Sequence, residues 1–252
     1  MTAAPLPSSA SWPTPVLIAL AILAALSVSG VEGGAALCAA MAFYFAFMGC
    51  IRRVPGGHTV LQRALFRAAY WLPLILPVLL VEPLRQGLAA TLVLTPVSLA
   101  LGIGVGGVMS VVFLYPSRQL YLDRTVCMLA VPPMQRSDLL LSLQSMAGAA
   151  IFEEVMFRYA VFALIAQPAL ALVVSTLLFV AAHYCLPWAD KTFSRRDYCN
   201  QAMTGLLLGA LFWITGALLA CIIAHLIFNL LRLGPAVLRS SIYGDKNELY
   251  ES

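Results

Sequence analysis

Charge is what this chain has least of: Asp, Glu, Lys and Arg make up 10% of its 252 residues, while 62% are hydrophobic. A soluble domain is about one-quarter charged and about 45–50% apolar, so too few charged side chains are present to cover a water-facing surface. An ordinary soluble domain is excluded, as is a disordered chain. The net charge of +4 is spread over many loops with no basic patch, which excludes a nucleic-acid binder. Six cysteines, at positions 38, 50, 127, 185, 199 and 221, have no CxxC spacing and fall mostly in apolar runs. Neither a disulfide framework nor a zinc ribbon is expected. The basic region that opens a signal peptide is also missing, so residues 1–14 read as a short tail before a retained first span.

What is present is a series of long apolar runs. A spanning helix needs about 20 largely apolar residues, and eight candidates stand out: 15–30, 35–51, 68–81, 88–115, 138–163, 168–187, 201–214 and 217–232. The expected fold is all-α, a polytopic integral membrane helical bundle of about eight transmembrane helices. Pro96 within the run 88–115 predicts a kink or strong tilt. With both termini cytoplasmic, 13 of the 15 basic residues fall on one side, leaving Arg85 outside and Arg158 within a span. Segment 116–137 mixes apolar and charged residues and reads as an interfacial amphipathic helix. The chain divides into N-terminal spans with that loop (15–137), a core (138–232) and a polar tail (233–252).

Charges stand where charges are costly in residues 149–166, AAIFEEVMFRYAVFALIA. Each of Glu153, Glu154 and Arg158 costs about 2.5–3.5 kcal/mol at the bilayer centre on insertion scales. Glu154 and Arg158 are four residues apart and can neutralise one another on one helix face, a pairing that by itself needs no role beyond locking helix packing. Glu153, about 100° around the helix, is left without a local cation.

Of three histidines, two lie in later apolar runs, as Phe179-x-x-x-His183 and His225-x-x-x-Asn229. A lone intramembrane His is commonly an interhelical hydrogen-bonding group; two of them with an Asn and a spare Glu on three helices point to one site. A carboxylate and an imidazole can hold and deprotonate a water, and a second imidazole and an amide can donate to an oxyanion. Glu153, His183 and His225 could instead bind a divalent metal such as zinc, so the residues leave metal dependence open. The segment Gly102-Ile103-Gly104-Val105-Gly106-Gly107 fits a dinucleotide pattern but lacks the flanking strand, and reads as close helix packing. His58, beside glycines in a basic loop, reads as a surface residue.

These three motifs, in this order on successive apolar helices, resemble the CPBP family, the CAAX proteases and bacteriocin-processing enzymes also called Abi proteins. The resemblance covers about residues 140–232. It implies a glutamate-type intramembrane endopeptidase in which Glu153 and His183 activate water and His225 and Asn229 form the oxyanion site. Glu154 with Arg158 would orient the first helix, with no obligatory metal. Tyr159 departs from the family pattern, which commonly has Gly there. The expected partners are the bilayer and a membrane-associated protein or peptide substrate, in a bacterial inner membrane. There is no HExxH, no GxSx with a partner His, and no GxGD, which removes other intramembrane protease types. A non-enzymatic self-immunity protein or scaffold has no need of Glu153 and two intramembrane His, and a proton-coupled transporter would be expected to show an internal repeat that is missing. Measured from the midpoints of the runs, Glu153 and His183 differ in depth by about 10 Å, an offset that tilt or a broken helix must absorb.

Overall fold

The computed structural model describes residues 20–21, 23–25, 27, 33–51, 59–184 and 194–242. His58, Lys191, Lys246 and most of the run 15–30 lie outside them. Among the described residues every regular element is helical. In chain order these are α1 (Gly34–Ile51), α2 (Val60–Ala69), α3 (Leu72–Leu80), α4 (Glu82–Thr91) and α5 (Pro96–Leu114), followed by the short α6 (Gln119–Leu122) and α7 (Arg124–Ala130). Then come α8 (Arg136–Glu154), a π-helical segment (Val155–Ala160), α9 (Val161–Leu164), α10 (Pro168–Tyr184), α11 (Arg195–Thr215) and α12 (Leu218–Val237).

Among the described residues, three continuous helical stretches are long and apolar enough to cross a membrane: Pro96–Ser117, Arg136–Leu164 and Leu218–Ser240. Taking α2 and α3 as one span bent by 46° makes four. The expected all-helical bundle is present, and three or four of the eight expected spans qualify by length and composition among the described residues. The run 68–81 straddles the break at Tyr70–Trp71, and 35–51 and 168–187 yield shorter apolar helices, Gly34–Met48 and Pro168–His183. The run 88–115 is divided by non-helical residues before α5. Pro96 produces no kink. It sits in the first turn of α5, where Thr95 and Ser98 form a capping box and the missing proline N–H is no loss. Ser194 and Asp197 cap α11 in the same way, so that helix begins six residues before the run 201–214.

Lipid offers helices no hydrophobic drive to associate, so small residues that allow close backbone contact decide the packing. Two glycine seams do this. On α5, a Cβ added at Gly102 would lie 2.7 Å from the Ala220 carbonyl oxygen, and one at Gly106 would lie 2.7 Å from that of Ala224. On α11, Gly205 faces Thr176 and Gly209 faces Leu172 of α10. Each histidine-bearing helix, α10 with His183 and α12 with His225, is thus seated on a glycine-bearing partner. The expected close packing of the 102–107 segment belongs to Gly102 and Gly106, because Gly104 and Gly107 face open space.

The segment 116–137 forms a 3₁₀ turn, α6 and α7, and straps the end of α12. Pro235 inside α12 has no N–H to offer the carbonyl of Leu231. The hydroxyl of Tyr121 donates to that carbonyl instead, at 2.8 Å. Cys127 Sγ donates to the Pro235 carbonyl, and the Met134 amide donates to Ser240 Oγ. Helical structure runs through Val237 and a π turn, Leu238–Ile242, so the first residues of the expected polar tail belong to the helix.

Candidate active site

Glu153 and Glu154 are the last two residues of the α-helical part of α8, and the π segment follows at once. Single π turns inside α-helices are frequently found at functional sites. All six residues of this one are buried, as expected of a helical turn at the centre of a bundle rather than on its face. α3, α4, α10, α11 and α12 all contact it.

Glu154 and Arg158 have no exposed side-chain surface, and Oε2 of the carboxylate lies 3.0 Å from Arg158 Nε. The contact is an ion pair without hydrogen-bond alignment. The other carboxylate oxygen, Oε1, accepts from His225 Nδ1 at 2.7 Å. The expected i,i+4 pair is present, and Glu154 also ties α8 to α12. The Arg158 guanidinium lies 4.5 Å from the centre of the Phe179 ring, where the ring face attracts a cation.

Glu153, the carboxylate without a local cation, faces His183: Oε2 and Nε2 are 3.8 Å apart. The His183 Nδ1 lies 2.9 Å from the Phe179 carbonyl oxygen. A carbonyl only accepts, so Nδ1 carries a proton, which leaves Nε2 as the ring nitrogen on the side of Glu153. The depth offset shrinks to about 6 Å when distance is measured from the turn between α9 and α10. Glu153 is then about 16 Å along one helix and His183 about 22 Å along the other, a gap that side-chain length and tilt close.

Asn229, one turn beyond His225, donates from Nδ2 to the Met146 carbonyl of α8 at 3.1 Å. One amide hydrogen therefore holds α12 against α8, and the second is free for a ligand. His225 turns Nδ1 to Glu154 and His183 turns Nδ1 to a carbonyl, and among the described residues no three His, Cys, Asp or Glu side chains converge. With both Nδ1 atoms engaged, His183 and His225 each keep Nε2 free, as a metal-ligating histidine also would, so the donor set leaves metal dependence open.

Sequence reasoning missed the ring of Phe179, which it treated only as a spacing marker. That ring lies 4.3 Å from the His183 ring and 6.2 Å from the His225 ring, centre to centre, as well as beneath Arg158. Only its placement four residues before His183 hinted at a role. Trp71, which stacks on Phe152 at 5.2 Å and occupies the space a side chain at Gly148 would need, gave no sequence signal. Tyr159 lies outside the catalytic constellation: its hydroxyl donates to the Leu84 carbonyl, opposite Gly87, and clamps α4 to the π segment.

Residues 135–231 match the family described as Rce1-like, type II CAAX prenyl endopeptidase. The matched segment runs from the start of α8 into α12 and contains every residue of the constellation. The CAAX-protease resemblance therefore rests on a family match as well as on the three motifs, and that family is a protease family. No curated protein and no solved structure matches the chain.

Proposed function

We propose, on the premise that residues 135–231 form a segment of the Rce1-like CAAX prenyl endopeptidase family, that this chain is a multi-pass intramembrane endopeptidase. It cuts a peptide bond in the tail of a membrane-associated protein or peptide, in a bacterial inner membrane with both termini cytoplasmic. The observation that carries the reading is Glu153 Oε2, 3.8 Å from Nε2 of a His183 whose Nδ1–H is held by the Phe179 carbonyl.

A water within hydrogen-bond reach of both groups donates one hydrogen to Glu153 and the other to His183 Nε2. As its oxygen attacks the scissile carbonyl carbon, Glu153 takes the proton and the carbonyl π pair moves onto oxygen. His225 and Asn229 supply N–H donors to that oxyanion. For His225 the donor is Nε2–H, with Nδ1–H held by Glu154. Collapse of the tetrahedral intermediate expels the amine, which receives the proton from Glu153.

The test is cleavage of a quenched tail peptide by purified protein. Glu153→Gln keeps the shape and removes the base, and cleavage is expected to fall by about 10²–10⁴-fold with unchanged thermal unfolding. A Gln variant that cleaves at the wild-type rate removes Glu153 from the role of base.

A further inference from the structure

A small cavity of about 30 Å³ touches Glu153 on its α2–α3 side. Its wall includes Arg67, Tyr70, Trp71, Ser145 and Ala149. The polar groups line up along one face of α8. Asp138, Ser145, Ala149 and Glu153 are separated by seven, four and four residues, which keeps them on a single stripe. The stripe starts at the surface, where Asp138 pairs with Arg63 at 2.7 Å and both side chains are about one-third exposed. One turn along α2, Arg67 Nη1 donates to Ser145 Oγ at 3.0 Å, and that hydroxyl donates to the Leu141 carbonyl. From Ser145 to Glu153 is about 12 Å of helix, and the cavity occupies this stretch. The space open to the centre of a water exceeds the roughly 10–15 Å³ that holding one requires. A peptide does not fit it; a water with Arg67, Ser145 and Glu153 as partners does.

We infer that this polar stripe is the route by which the hydrolytic water reaches Glu153, separate from the path of the peptide. The inference rests on the proteolytic reading above for its purpose, but not for its geometry. Arg67 and Ser145 are positioning residues that keep the passage wet between apolar helices. Ala149 lines the cavity between Ser145 and Glu153, so a larger side chain there would fill it.

Two measurements on the full-length protein in vesicles test the route. In the first, Ala149→Cys is exposed to silver ion, a thiol-reactive cation about the size of a water, with residue-resolved detection of the thiols it protects from later alkylation. Position 149 is expected to react from the vesicle face that carries the exposed native Cys199, while Ala150→Cys, at a fully buried position turned about 100° away, stays unreacted. Reaction of neither, or of both equally, overturns the route whether or not the protein cleaves peptides. In the second, Ala149→Leu is expected to lower kcat at least tenfold with KM within twofold, because the plug blocks water and not the tail. Wild-type kcat in a leucine variant overturns it as well. A wild-type protein that cleaves nothing, while the thiol introduced at position 149 reacts, leaves the passage standing and removes the proteolytic reading.

Discussion

Glu154 carries more of the site than its neighbour, although Glu153 is the group closest to the proposed chemistry. Its two oxygens serve Arg158 and His225, and no other anion among the described residues meets the buried Arg158. Removing one partner of a buried ion pair leaves an uncompensated charge, typically at a cost of about 3–5 kcal/mol. Glu154→Gln still offers His225 an amide oxygen but leaves the guanidinium with the Phe179 ring alone. It is therefore expected to lower thermal stability in detergent by several degrees or more, whereas Glu153→Gln is expected to leave it nearly unchanged. Equal melting temperatures for the two variants would contradict this division of roles. Part of this network was legible from spacing alone: four residues between Glu154 and Arg158 on an apolar helix predict their contact. The bond from His225 to Glu154 was not, since it joins residues 71 apart in sequence and depends on how α12 is rotated against α8. Nor was the Phe179 ring, because a phenylalanine in an apolar run carries no sign of the cation it covers.

What sets the rotation of the helices is the pair of glycine seams. Gly102 and Gly106 let α12 approach until the backbone of Ala220 and Ala224 touches α5, which turns the next residue, His225, toward α8. A methyl at Gly106 would sit 2.7 Å from the Ala224 carbonyl oxygen and 2.9 Å from its Cα, both unyielding backbone atoms, whereas a methyl at Gly104 meets nothing within 4 Å. Gly106→Ala is thus expected to destabilise the protein and lower cleavage together. Gly104→Ala should leave cleavage intact and raise stability by up to about 1 kcal/mol, the gain of Ala over Gly inside a helix. Thermal unfolding and peptide cleavage of the two variants check this, and a loss of similar size in both would show that the seam is not the determinant. The 102–107 glycines were recognisable as a packing signal. Gly205 and Gly209 were not, because a glycine in a leucine-rich run names no partner helix. Helix ends were misread where local chemistry overrode hydropathy: Thr95 and Ser98 turn Pro96 from an expected kink into a helix start.

Taken as a whole, the bundle separates its charges by end, Glu82 and Arg85 of α4 excepted. α5 and α12 run parallel, as the contacts of Gly102 with Ala220 and Gly106 with Ala224 require. α8 runs against α12, with His225 on Glu154 and Asn229 on Met146. α10 runs against α11, with Gly205 on Thr176 and Gly209 on Leu172. Following the chain through these pairs puts Arg118, Arg124, Arg136, Arg195, Arg196 and Arg239 near one end, together with the Arg63–Asp138 pair. The connections at the other end, residues 92–95, 165–167 and 216–217, contain no charged residue. Charge sorting was readable before the spans were known, because it depends only on which loops alternate; the number of spans was not, because it depends on where each helix breaks. The basic end is expected to face the cytoplasm. Cys199, exposed on the first turns of α11, provides a native reporter there, and Gln167→Cys places a second thiol in the uncharged turn before α10. An impermeant thiol reagent should modify Cys199 only in inside-out membrane vesicles and the thiol introduced at position 167 only in right-side-out cells. Modification of both thiols from the same side would break the antiparallel threading that brings α8, α10 and α12 to one site.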